Sequence, residues 1–151
     1  MKLYDNESIG RYISHFYRMG NSFLCKKYKE YDIGAGQYQF LIQLYLKDGL
    51  SHDELTEKMS VDKATTTRAI MKLEESGYVK RALNENDKRK YHIYLTKKAM
   101  DKKEEILNVS ALWEERLTGP LDKEEHEYLM GILRKIAKNN PGYLFEEYEE
   151  K

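Results

Sequence analysis

Between positions 63 and 72 the chain carries Lys63, Ala64, Thr65, Thr67, Arg68 and Lys72, and a second cluster, Lys88-Arg89-Lys90, follows within about two dozen residues. The chemistry open to such groups is non-covalent. Ammonium and guanidinium groups pair with phosphate oxygens, while guanidinium forks and short hydroxyls reach the hydrogen-bonding atoms on base edges. No Gly-rich phosphate loop, nucleophile elbow or His-Glu-x-x-His pair occurs, and the carboxylate clusters fall on polar helix faces. A binding protein is therefore expected, not an enzyme, with no cofactor. His15, His52, His92 and His126 show no short metal-ligand spacing, so no metal site is expected either.

The charge distribution agrees with a polyanionic partner. The 151 residues hold 26 Lys+Arg and 26 Asp+Glu, a net charge of zero. That total hides a division: residues 61–98 carry 10 basic and 5 acidic side chains, whereas residues 99–151 carry 8 and 13. The middle segment is suited to meet nucleic acid and the end is not. A solvated mixed-charge surface explains the charges equally well on their own, so the elements that hold them must decide.

Those elements are mostly helical. The two prolines, Pro120 and Pro141, leave long stretches free of breakers. Ser8 to Lys29 is predicted as an amphipathic helix with a broad aromatic face, and Gln37 to Leu46 as a short apolar one. Ser51-His52-Asp53-Glu54 has the spacing of a capping box and opens a helix that ends near Ser60. Asp62 is placed to cap the next helix, in which Thr66, Ala69, Ile70 and Leu73 face inward. Two short helices joined by a tight turn form a helix-turn-helix. Gly77 ends the second, and the pattern then changes to alternation in Tyr78 to Leu83 and again in Tyr91 to Leu95, a β-hairpin with a basic tip. Thr96 is placed to cap one long helix, Lys97 to about Thr118, stopped by Gly119-Pro120. A last helix, Asp122 to Asn139, puts Leu129, Ile132, Leu133 and Ile136 on one face before Asn140-Pro141-Gly142 and an acidic tail from Tyr143 to Lys151. The expected fold is mainly α with a small β-hairpin wing.

Val61-Asp62-Lys63-Ala64-Thr65-Thr66-Thr67-Arg68, Leu73-Glu74-Glu75-Ser76-Gly77-Tyr78-Val79-Lys80-Arg81, and Asp87-Lys88-Arg89-Lys90 before Leu95-Thr96 together resemble the MarR family of transcriptional regulators. The order of elements matches over nearly the whole chain. The resemblance implies a single domain over residues 1–151: a winged helix-turn-helix lobe at 36–96, flanked by dimerisation helices at 1–32 and 97–151. It implies a homodimer on a pseudo-palindromic promoter site, often a repressor relieved by a ligand or oxidant.

The residues support that reading independently. Lys63, Thr65, Thr67, Arg68 and Lys72 lie on or near the exposed side of the second helix, which fits the major groove, and Ala64 is small enough to let the backbone approach. Lys88, Arg89 and Lys90 can follow phosphates or enter a narrow minor groove, and Arg89 matches the family's minor-groove arginine. Asp87 has the wrong sign for DNA, so it orients a neighbouring arginine or caps the turn. The aromatic face of the first helix and the apolar faces of the last two exceed what a small winged helix covers, so both chain ends are expected to interlock with a second subunit.

The resemblance also implies a small aromatic or phenolic effector, and the 13 tyrosines supply candidates: Tyr12, Phe16, Tyr17, Tyr38 and Tyr45, with Trp113, are possible pocket lining. Core packing accounts for them as well. Cys25, the single cysteine, is expected to be a structural or incidental thiol, because the family's redox position falls near Gly10. No signal-type or bilayer-length apolar segment is seen, so a cytoplasmic protein is expected, with no membrane partner. The alternatives left open are a winged helix used as a protein-interaction module and a redox- or metal-responsive regulator of the same fold.

Overall fold

The computed structural model describes residues 7–86 and 88–139. Asp87, the Asn140-Pro141-Gly142 stop and the acidic tail lie outside these residues. The order of elements is α1 (Ile9–Tyr28), α2 (Tyr38–Leu46), β1 (Leu50–Ser51), α3 (His52–Met59), α4 (Lys63–Glu75), β2 (Val79–Leu83), β3 (Tyr91–Leu95), α5 (Lys97–Asp101), α6 (Lys103–Thr118) and α7 (Lys123–Asn139), with one 3-10 turn at Lys29–Tyr31.

Local capping sets most boundaries. Ser8 accepts from the Arg11 N–H, Thr96 from the Ala99 N–H, and Asp122 and Glu125 exchange side-chain and backbone bonds reciprocally. At Gly77 the φ of 78° is left-handed, and the bonds Tyr78 N–H to Leu73 O and Gly77 N–H to Glu74 O close a Schellman motif. That turn sends the chain from α4 straight into the hairpin.

The sheet is antiparallel with strand order β1-β3-β2. The hairpin pairs Val79 with Leu95, Arg81 with Ile93 and Leu83 with Tyr91. Leu50 and Ser51 add a third, two-residue strand against Ile93 and His92, which periodicity could not reveal at that length. Leu50 and Ile93 are both buried, so this short strand ties the start of α3 to the wing through the core.

The single long helix expected from Lys97 to Thr118 is instead two, broken at Lys102 (φ −96°, ψ 0°). The Tyr45 hydroxyl donates to the Ala99 carbonyl at 2.6 Å, and a side chain that intrudes on a helix ladder in this way is a recognised cause of a kink. The break lets α5 bury Ala99 while α6 buries Ile106 and Val109. Fully buried Tyr28, Ile33, Leu41, Leu44, Leu55, Leu73 and Tyr78 complete the core. Each buried phenol has a partner: Tyr28 donates to the Ile106 carbonyl at 3.2 Å and lies 2.9 Å from the Ser110 hydroxyl, and Tyr78 donates to the Tyr31 carbonyl at 2.6 Å. Burial pushes the pKa of Tyr28, Tyr45 and Tyr78 up, so they stay neutral donors at neutral pH, and it also raises that of Tyr38, whose hydroxyl accepts from Gln39 Nε2 at 3.1 Å.

Where α1 crosses α6, Gly20 meets Trp113. A Cβ at Gly20 would sit 2.9 Å from the indole carbons Cε2 and Cζ2. Gly20→Ala gains helix propensity of up to about 1 kcal/mol, but the overpacking cost is about 1–3 kcal/mol. The expected outcome is a net loss of stability in urea denaturation, restored when Trp113 is also reduced to Leu.

Candidate nucleic-acid interface

The surface predicted to meet DNA is built on α3, α4 and the hairpin. At the start of α3 the capping box forms: Glu54 N–H donates to Ser51 Oγ at 3.2 Å and Ser51 N–H to Glu54 Oε2 at 2.7 Å. That backbone donor holds the Glu54 carboxyl below its usual range, against an opposing effect of burial. Ser60, in left-handed conformation (φ 51°), makes the tight turn. Asp62 then caps α4, accepting from Thr65 N–H at 2.6 Å, a bond that lowers its pKa as well.

One face of α4 is sealed. Thr66, Ala69, Ile70 and Leu73 are buried, and the Thr56 and Thr66 hydroxyls lie 2.8 Å apart, fastening α3 to α4 through a polar contact at the edge of the core. The opposite face is open: Lys63, Ala64, Thr67, Arg68, Met71, Lys72 and Glu75 are exposed, and Thr65 is half-buried. The predicted residues are organised with respect to each other. Arg68 Nη2 donates to Thr65 Oγ1 at 3.1 Å, and Thr67 donates to the Lys63 carbonyl at 2.9 Å. Since the Thr67 proton is thus used, its oxygen is left to accept from His52 Nε2, 3.0 Å away. Lys72 lies a turn further on, 3.7 Å from Glu75, which marks the acidic end of the open face.

The wing carries Lys88, Arg89 and Lys90, all exposed, on the loop that closes β2 onto β3. It is tied back to the helices twice. Arg81 of β2 pairs with Glu74 of α4 at 3.0 Å. Asp53 of α3 lies 3.1 Å from Lys90 Nζ and 3.6 Å from Lys63 Nζ, so one carboxylate joins the wing to the first residue of α4. The Lys90 hydrogen bond, followed by the Lys63 charge, holds the Asp53 carboxyl below its ordinary range. Sequence reasoning missed His52, Asp53 and Met71 as members of this surface. For Met71 the signal was present, since it lies at three-and-four spacing from Arg68 and Thr67.

The aromatic residues considered for an effector are not brought into one cavity. Tyr38 is buried and stacks on Tyr28 with ring centroids 4.8 Å apart, and Tyr45 is buried under α5. Tyr12, Phe16 and Tyr17 stand on the exposed face of α1. Trp113 lines an open groove of about 620 Å³ between α1 and α6, with Arg18, Phe23, Lys26, Lys27 and Arg116 among its walls, and Tyr12 lines a separate groove along the start of α1 with Arg11 and His15. Cys25 is half-buried and its Sγ donates to Asn21 Oδ1 at 3.6 Å. Among the described residues no group of His, Cys, Asp and Glu is placed to hold a metal ion, and no helix is long and apolar enough to cross a membrane.

A helix-turn-helix whose second helix is open on one face, followed by a basic hairpin, defines the winged-helix class of DNA-binding proteins. Residues 33–91 match the model of the MarR family. The chain is similar to a MarR transcriptional regulator from Methanosarcina mazei Go1, with 36% identity, a TM-score of 0.82, and 87% of this chain and 95% of that one covered. It is 31% identical to the HTH-type transcriptional regulator YwoH of Bacillus subtilis over 86% of this chain and 97% of the relative. A MarR-family regulator from Listeria monocytogenes, solved in complex with a 26mer DNA, shares the fold at 23% identity with a TM-score of 0.80, covering 88% and 89%. The chain belongs to the MarR family: it is a DNA-binding transcriptional regulator, not an enzyme.

Proposed function

We propose that the protein is a homodimeric repressor that binds an inverted-repeat operator and is released by a small molecule. The observation that carries the DNA reading is the division of α4: its inner face is fully buried, which orients it, while Lys63, Thr67 and Arg68 are left open beside a basic wing. In this reading α4 enters the major groove with Arg68, Thr65 and Thr67 against base edges, Lys63 and Lys72 follow phosphates, and Lys88, Arg89 and Lys90 hold the backbone or the adjacent minor groove. Asp87 orients the wing tip. Repression follows from occupying promoter DNA in the cytoplasm.

The dimer reading rests on the terminal helices. α7 is 17 residues long yet has no buried residue, and Leu129, Ile132, Leu133 and Ile136 form an exposed apolar stripe. Ile9, Ile13 and Phe16 of α1 are exposed as well. Faces of this size on a charged helix fit burial against a second copy. For the effector, the groove beside Trp113 combines aromatic walls with cations and suits an aromatic anion.

Selection from a library of random duplexes tests the proposal. Enriched sequences are expected to contain two inverted half-sites centred about one helical turn, roughly 10 bp, apart. Enrichment of single half-sites would contradict the twofold arrangement, and no enrichment would favour a protein-interaction module.

A further inference from the structure

We propose that Asp53 is an intramolecular stand-in for a DNA phosphate, and that by competing for Lys63 and Lys90 it suppresses non-specific binding. The inference rests on the reading of α4 and the wing as the DNA surface. Its carboxylate oxygens receive one ammonium each, Lys63 at 3.6 Å from Oδ1 and Lys90 at 3.1 Å from Oδ2. Those lysines come from the two separate elements that must grip the duplex together. A phosphodiester offers the same charge and a similar pair of oxygens, so it can replace the carboxylate between the same two ammoniums.

The contact is poorly suited to holding the fold. The side chains of Asp53, Lys63 and Lys90 are 51%, 79% and 58% exposed, and ion pairs this open to water contribute little to stability. The capping box at Ser51 and Glu54 secures the start of α3 without it. What the contact changes is the strength of phosphate-dependent DNA binding. Each lysine must exchange a carboxylate for a phosphate, and the displaced Asp53 then faces the backbone with the same sign of charge. Non-specific complexes, which depend almost wholly on phosphate contacts, are weakened by that exchange. An operator complex is weakened by the same factor but keeps its base contacts, so it stays tight where non-specific complexes do not.

The test measures anisotropy of a labelled random-sequence duplex over a salt series with the wild type, Asp53→Asn and Asp101→Asn. Asp101 also pairs with a lysine, Lys97 at 2.7 Å, so its variant makes the same change in net charge without touching Lys63 or Lys90. Asp53→Asn is expected to bind about three- to tenfold tighter at low salt, with a log–log salt slope steeper by about one to two, while Asp101→Asn changes affinity less than about twofold. The thermal midpoint of Asp53→Asn should fall by no more than a few degrees, since the carboxylate also stands in the first turn of α3 and its ion pairs are open to water. Normal wild-type binding with an Asp53→Asn variant that binds no tighter, or with both variants shifted alike, would overturn the proposal alone. Absence of salt-dependent binding by the wild type would overturn the DNA reading and the proposal with it.

Discussion

Leu133→Asp is expected to convert the protein to a monomer in sedimentation velocity and to weaken binding to an inverted-repeat operator by about 100-fold or more. Leu133 stands between Leu129 and Ile136 on the exposed stripe of α7, each of them roughly two-fifths exposed in the single chain. A carboxylate placed in an apolar contact must be buried without a partner, which costs several kcal/mol, whereas in the monomer it remains in water. The effect on DNA follows from geometry, not from the binding surface. With two lobes joined, the second half-site binds at high effective concentration, a gain of about 10²–10⁴ that a monomer forfeits. The half-site affinity of the variant should be unchanged, because α4 and the wing keep their own packing against α2, α3 and the sheet. A variant that stays dimeric, or that becomes monomeric with operator affinity intact, would refute the arrangement.

Arg68→Ala and Arg89→Ala should fail in different ways. Arg68 projects from the open face of α4 and is steadied by Thr65 at 3.1 Å. A bidentate arginine–guanine pair is worth about 1–3 kcal/mol, and a dimer carries two copies, so Arg68→Ala should cost about 2–6 kcal/mol on the operator. Its preference should relax at one base pair in each half-site. Arg89→Ala should weaken operator and unrelated duplex together, and reduce the salt slope by about one for each wing. Competition assays with single-base operator variants separate the two. Equal relaxation of base preference at the same base pair by both variants would contradict the assignment.

The parts of the fold that obey short-range rules were legible in the amino-acid sequence. Ser51 and Glu54 announce their capping box three residues apart, Asp62 its cap, and Gly77 its left-handed turn; Thr66, Ala69, Ile70 and Leu73 mark the buried face of α4 by spacing alone. What escaped depends on contacts distant along the chain. The break at Lys102 coincides with a hydroxyl from Tyr45, 54 residues before its acceptor at Ala99. β1 exists because Leu50 and Ser51 find β3, and two residues have no period to read. Asp53 meets Lys90 across 37 positions, and His52 meets Thr67 across 15. The aromatic residues illustrate the same limit. Spacing puts Tyr12 and Phe16 on one face of α1, yet only packing decides that Tyr38 and Tyr45 serve the core while Trp113 lines a groove. The open face of α4 was therefore foreseeable as a site, and the carboxylate that joins it to the wing was not.

The most direct test is the affinity of the protein for its selected operator and for a scrambled duplex of equal length, measured by fluorescence anisotropy at several salt concentrations. The expected result is two chains per operator, a preference over the scrambled duplex of about 10³-fold or more, and a log-linear loss of affinity with salt on both. Equal and weak binding to the two duplexes, with no dependence on salt, would contradict it.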